Sequence, residues 1–114
     1  MKTLTNIPGL NQEDTVTIRK FGYGKKKQVQ YAGLKLDIKQ NKQTEVAGSF
    51  DIVEHQLALL KYGIVNASFI PQTMTKENYI ENELDPEIGD WIAEQIREYN
   101  AIKDLGNLKK KLEQ

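Results

Sequence analysis

Residues 21–33 read FGYGKKKQVQYAG: two aromatics spaced by glycines, three consecutive lysines, then a run that alternates apolar and polar. Paired glycines supply turn chemistry. Val29 and Tyr31 continue into Leu34, Leu36 and Ile38, but the parity of the alternation switches from odd to even across Ala32 and Gly33. A β-bulge there restores one inward face, and glycine suits it because it tolerates positive φ. The spacing therefore predicts a hairpin tip at GYGKKK and a bulged return strand over residues 29–38.

The outgoing strand lies just upstream in TVTIRKF (15–21), where Val16 and Ile18 alternate with Thr15, Thr17 and Arg19. Residues 1–13 mix Asn, Pro, Gly and Gln without a period and read as a flexible arm. Downstream, Asn41 to Gly48 is polar and reads as a loop. Ser49 is placed to cap a helix from about Phe50 to Tyr62, with Ile52, Val53, Gln56, Leu57, Leu59 and Leu60 on one face and Gly63 to end it. Residues 64–71, IVNASFIP, read as an extended, buried connector. Thr75 then opens a short helical turn over KENYIENE.

The clearest local signal follows. Asp85 is an N-cap, Pro86 occupies the first helical position where its missing N–H costs nothing, and Glu87 favours the helix dipole. Ile88, Trp91, Ile92, Ile96, Tyr99 and Ile102 then recur at helical spacing, opposite Asp90, Glu94, Arg97 and Glu98. That predicts a helix over residues 86–103. Its stripe reads as core, and Trp91 and Tyr99 become partner anchors if the domain leaves it uncovered. The expected fold is α+β, an N-terminal antiparallel β-hairpin packed on two main α-helices. It forms one domain over residues 14–105, followed by a basic helical tail over 106–114.

With 114 residues, 39% hydrophobic and 28% charged, the chain suits one modest core. It has no cysteine, which removes disulfides and thiolate metal sites. The N-terminus lacks an apolar leader and no run approaches the roughly 20 apolar residues that span a bilayer, so the expected setting is the cytoplasm, away from membranes. The net charge is zero, yet residues 1–43 carry nine Lys or Arg against three acids, and residues 44–114 carry seven against thirteen. Opposite poles of this kind hold the two halves of a fold together, or align copies of a homo-oligomer head to tail.

Catalytic patterns are absent from the sequence. Ser49 and Ser68 are the only serines, and no paired acids stand in an apolar setting. The expected protein is not an enzyme and uses no metal or cofactor. His55, the single histidine, reads as a surface or boundary residue, since neither cysteines nor clustered acids accompany it. The GxG at Gly22 and Gly24 does not open onto a strand-to-helix phosphate loop. Arg19, Tyr23, Lys25, Lys26 and Lys27 are the candidate binding residues at the tip. Lysines there contact phosphates in a nucleic-acid module, while ordinary solvated lysines that discourage edge aggregation explain the same cluster without nucleic acid.

The segment Phe50–Asn100, with FDIVEHQLALLKYGIV and TKENYIENELDPEIGDWIAEQIREYN, resembles small phage tail-assembly proteins. In those proteins a helix ending like LLKYGI precedes a pattern like ENi-eLdPEi-dwi. The resemblance implies a tail-assembly chaperone of a long-tailed phage or prophage, working in the host cytoplasm. It implies that the chain coats the tape-measure protein, helps recruit tail-tube subunits and is absent from the finished particle. It implies neither catalysis nor a cofactor. It also implies a second, frameshifted product, for which Lys109, Lys110 and Lys111 offer consecutive lysine codons near the end. The alternatives are a permanent head–tail or tail component and a nucleic-acid-binding module built on the Arg19–Lys27 tip.

Overall fold

The computed structural model describes residues 1–38 and 46–102. In chain order they form β1 (Lys2–Leu4), β2 (Val16–Ile18), α1 (Tyr23–Gln30), β3 (Leu34–Ile38), β4 (Val46–Phe50), α2 (Ile52–Gly63), β5 (Ile64–Ala67), α3 (Lys76–Asn82) and α4 (Pro86–Tyr99). The class is α+β, with an N-terminal antiparallel strand pair packed against helices, and α2 and α4 are the two main helices as expected. The expected tail, residues 106–114, lies outside the described residues.

The strand pairing differs from the expected hairpin. β2 is the centre of a three-stranded antiparallel sheet, β1-β2-β5, with Leu4 opposite Val16 and Ile18 opposite Ile64. Val16 and Ile18 are fully buried, as their alternation implies. Residues 1–13 are therefore not simply an arm: Leu4 and Ile7 enter the core, and a three-residue strand is too short to show its period in sequence. The connector at 64–71 supplies β5, which gives β2 its second neighbour.

The lysine segment is helix α1, not a hairpin tip. Lys and Gln are good helix formers, Gly22 occupies the N-cap, and the Lys26 N–H donates to the Gly22 carbonyl at 2.9 Å. Val29 faces the core while Tyr31 is exposed, so their apparent alternation reflects the end of a helix. Gly33 has φ +86°. It turns the chain out of α1 into β3, and this turn, not a bulge, produces the parity switch. β3 pairs antiparallel with β4, from Leu34 opposite Phe50 to Ile38 opposite Val46. The segment read as a loop thus contains a strand over Val46–Phe50, and residues 39–45 lie outside the description.

Helix α2 begins later than Ser49 suggests. Ser49 lies in β4, and Asp51 is the N-cap, its Oδ1 accepting the Glu54 N–H at 3.0 Å. Gly63 does not need a left-handed conformation. A Cβ there would lie 2.7 Å from Cδ1 and Cγ2 of Ile96, so its missing side chain lets α2 and α4 approach closely. Thr75 caps α3 through Oγ1 and Asp85 caps α4 through Oδ2, both as read from sequence.

The fourth helix ends at Tyr99, ahead of the expected 103. Ala101 adopts φ +52°, the Ala101 N–H donates to the Glu98 carbonyl, and the Ile102 N–H donates to the Arg97 carbonyl at 3.0 Å. This is a Schellman termination, and it drives Ile102 into the core as its hydrophobic contact. Asn100 closes the structure across 79 residues of chain. Its Oδ1 accepts the Phe21 N–H at 2.7 Å, and its Nδ2 donates to the carbonyls of Arg19 and Ile96 at 3.0 Å each. β2 is thereby tied to the end of α4.

Candidate functional site

The buried stripe of α2 is not the one its aliphatic content suggests. His55, Leu59, Leu60 and Gly63 face inward, whereas Ile52 and Val53 are 57% and 67% exposed. His55, expected at the surface, is fully buried. The rotation follows from tertiary constraints: Gly63 must meet Ile96, and the position two turns earlier on that face is His55.

Turning Ile52 and Val53 outward opens a groove of about 450 Å³. Its apolar wall combines Ile52, Val53, Leu57 and Leu60 of α2 with Ile80 and Leu84 beyond them, and Pro86 and Gly89 continue it along α4. Glu81, Asp85 and Asp90 stand along its margin. An apolar floor beneath acidic edges suits an amphipathic segment with basic flanks.

The imidazole of His55 lies edge-on to Phe50, with ring centroids 5.4 Å apart. Neither ring nitrogen has a hydrogen-bond partner among the described residues, and the same holds for Nε and Nη2 of the nearby Arg97, whose Nη1 pairs with Glu94. Burial, and then the Arg97 charge, push the histidine below its ordinary value of 6.5, against a smaller opposing pull from the Ala32 and Val29 carbonyls.

The folded state therefore holds His55 neutral where the unfolded chain takes up a proton. Its contribution is fully present above about pH 6.5 and falls by up to about 1.4 kcal/mol per pH unit below that, until the folded pKa is reached. Urea midpoints measured at about pH 7.5 and pH 5.5 should fall in the native protein and change much less in His55→Met. Equal falls in both would assign the pH dependence to other groups.

The residues singled out from sequence occupy different places. Lys25, Lys26 and Lys27 are on α1 with Tyr23, which is exposed beneath Lys27 at 5.7 Å. Lys25 instead reaches the Tyr62 ring of α2, 4.0 Å from its centroid. Arg19 follows β2 and shares a cleft with Lys25, Lys61 and Lys76, a convergence that is invisible in sequence because its members lie up to 57 residues apart. Trp91 and Tyr99 are half-buried. Trp91 lines a cleft with Pro8 and Ile88, and Tyr99 lies under Lys20 at 5.0 Å and Lys2 at 5.9 Å. The N-terminal segment covers them in part, with Pro8 beside Trp91 and Lys2 over Tyr99.

Among the described residues no helix is long and apolar enough to cross a membrane. Fold and surface together define a small α+β protein with an apolar, acid-edged groove along α2 from Ile52 to Leu60 and a cationic cleft at the C-terminal end of that helix. Comparison with family models, curated proteins and solved structures returned no match.

Proposed function

We propose that the chain is a non-enzymatic tail-assembly chaperone of a long-tailed phage or prophage, binding tape-measure and tail-tube proteins in the host cytoplasm during morphogenesis. The observation that carries this reading is the groove over Ile52, Val53, Leu57 and Leu84. It lies within Phe50–Asn100, the segment that resembles small phage tail-assembly proteins. A protein that holds a long helical partner reversibly needs an exposed apolar seat with polar edges, and Ile52 and Val53 leave one open to water.

The test is capture of tail proteins by the tagged chain from cells producing the phage. Ile52→Asp and Val53→Asp should each lower recovery of a long helical tail protein by about tenfold, while leaving the unfolding midpoint nearly unchanged because both side chains are already in water. Recovery of nucleic acid without any tail protein overturns the proposal. Persistence of the chain in purified virions would assign it to the permanent structure instead.

A further inference from the structure

We propose that the cleft between α1, α2 and the start of α3 is a phosphate-binding site. It has a volume of about 300 Å³ and is lined by Arg19, Lys25, Lys61, Tyr62, Lys76 and Glu77. The cations come from four separate parts of the chain, so no local run of charge accounts for their meeting. The cleft is also held in shape. The Arg19 N–H donates to the Gly63 carbonyl at 2.8 Å, Lys25 is steered by the Tyr62 ring and by Gln28 Oε1 at 2.9 Å, and Lys76 donates to the Ile64 carbonyl at 2.8 Å. The Arg19 bond fixes its backbone, and the Lys25 and Lys76 side chains, ordered before binding, lose less entropy on meeting a ligand.

Charge selects the ligand class. Lys61 pairs with Glu81 and Lys76 lies 3.8 Å from Glu77, so four cations face two carboxylates and two positive charges remain. A phosphate dianion balances that excess, whereas one carboxylate leaves half of it. The Arg19 guanidinium adds a planar fork suited to two phosphate oxygens, with Lys25 as a point charge beside it. The two negative charges belong either to one phosphate of a free small molecule or to two successive monoanionic diesters of a nucleic-acid backbone. The site adjoins the chaperone groove, since Leu60 and Glu81 line the groove and Glu81 pairs with Lys61 of the cleft, while Ile52 and Val53 lie about nine residues, roughly 13 Å, further along α2.

The deciding experiment titrates the full chain, followed by backbone amide NMR, with inorganic phosphate, adenosine monophosphate or a single-stranded oligonucleotide, each in chloride buffer of matched ionic strength. Saturable shifts centred on Arg19 and Tyr62 are expected. Arg19→Gln and Lys25→Gln should each weaken binding about tenfold, and Lys27→Gln, on α1 but outside the cleft, should leave it unchanged. Saturation by inorganic phosphate assigns a free ligand, and saturation by the oligonucleotide alone assigns a backbone phosphate. No saturable shift with any probe, or an equal loss in Lys27→Gln, overturns the proposal.

Discussion

Gly33→Ala should lower the unfolding free energy by about 3 kcal/mol, read as a fall in the urea midpoint at constant slope. Two effects add. The backbone at φ +86° is one that L side chains rarely adopt, and a Cβ there would lie 2.3 Å from the Asp51 carbonyl oxygen. That oxygen is held by backbone and cannot swing away: Asp51 donates its own N–H to the Gly33 carbonyl at 2.9 Å, and its carbonyl accepts the His55 N–H at 3.1 Å. Relief of the clash would disturb the first turn of α2 and the β3–β4 pairing at once. Gly24→Ala is the matched control. Nothing lies within 4 Å of a Cβ at Gly24, which is helical, so alanine should stabilise the protein by about 0.5 kcal/mol. A loss at Gly24 equal to that at Gly33 would mean that residues 23–30 form a glycine-dependent turn and not a helix.

Asn100→Leu is expected to cost about 3 kcal/mol, although leucine has nearly the right volume and leaves little cavity. The side chain makes three hydrogen bonds in a buried position, and leucine makes none. The Phe21 N–H and the Arg19 carbonyl would lose their described partner where β2 gives way to α1. The Ile96 carbonyl would keep its bond from the Asn100 N–H at 3.1 Å, so the loss falls mainly on the long-range tie. Hydrogen exchange separates this account from a general packing defect. The Phe21 amide should lose protection first in the variant, while amides of central α4 follow global unfolding. Unchanged protection at Phe21 would defeat the explanation.

Features that depend on a few adjacent residues are legible in the amino-acid order alone. Thr75 and Asp85 with Pro86 mark helix starts because a cap is a bond between a side chain and an amide two or three residues away. The stripe of α4 and the alternation of Val16 and Ile18 are equally visible, since each is a period imposed by one element on itself. Residues 23–30 mislead because a short lysine-rich helix has almost no apolar face: Val29 is its one buried aliphatic residue, and its glycines imitate turn chemistry. The candidate site is legible only in fragments. Arg19 and Lys25 stand out as cations, but nothing local connects them with Lys61, Tyr62 and Lys76. The aliphatic face of α2 stands out as well, and reads as core.

By itself, then, the amino-acid order determined the α+β class, the two main helices, the central strand and the caps of α3 and α4, because these follow from backbone bonding and periodicity over one or two turns. Tertiary structure decided which strands pair, which side of α2 is buried and where the cations converge. Those outcomes depend on contacts between distant segments. Gly63 against Ile96 and Asn100 against Phe21 set the orientation of α2 and the end of α4, and so leave His55 inside and Ile52 and Val53 in water. No local pattern carries that choice, since a broad apolar face on a single helix can be buried along either of its edges.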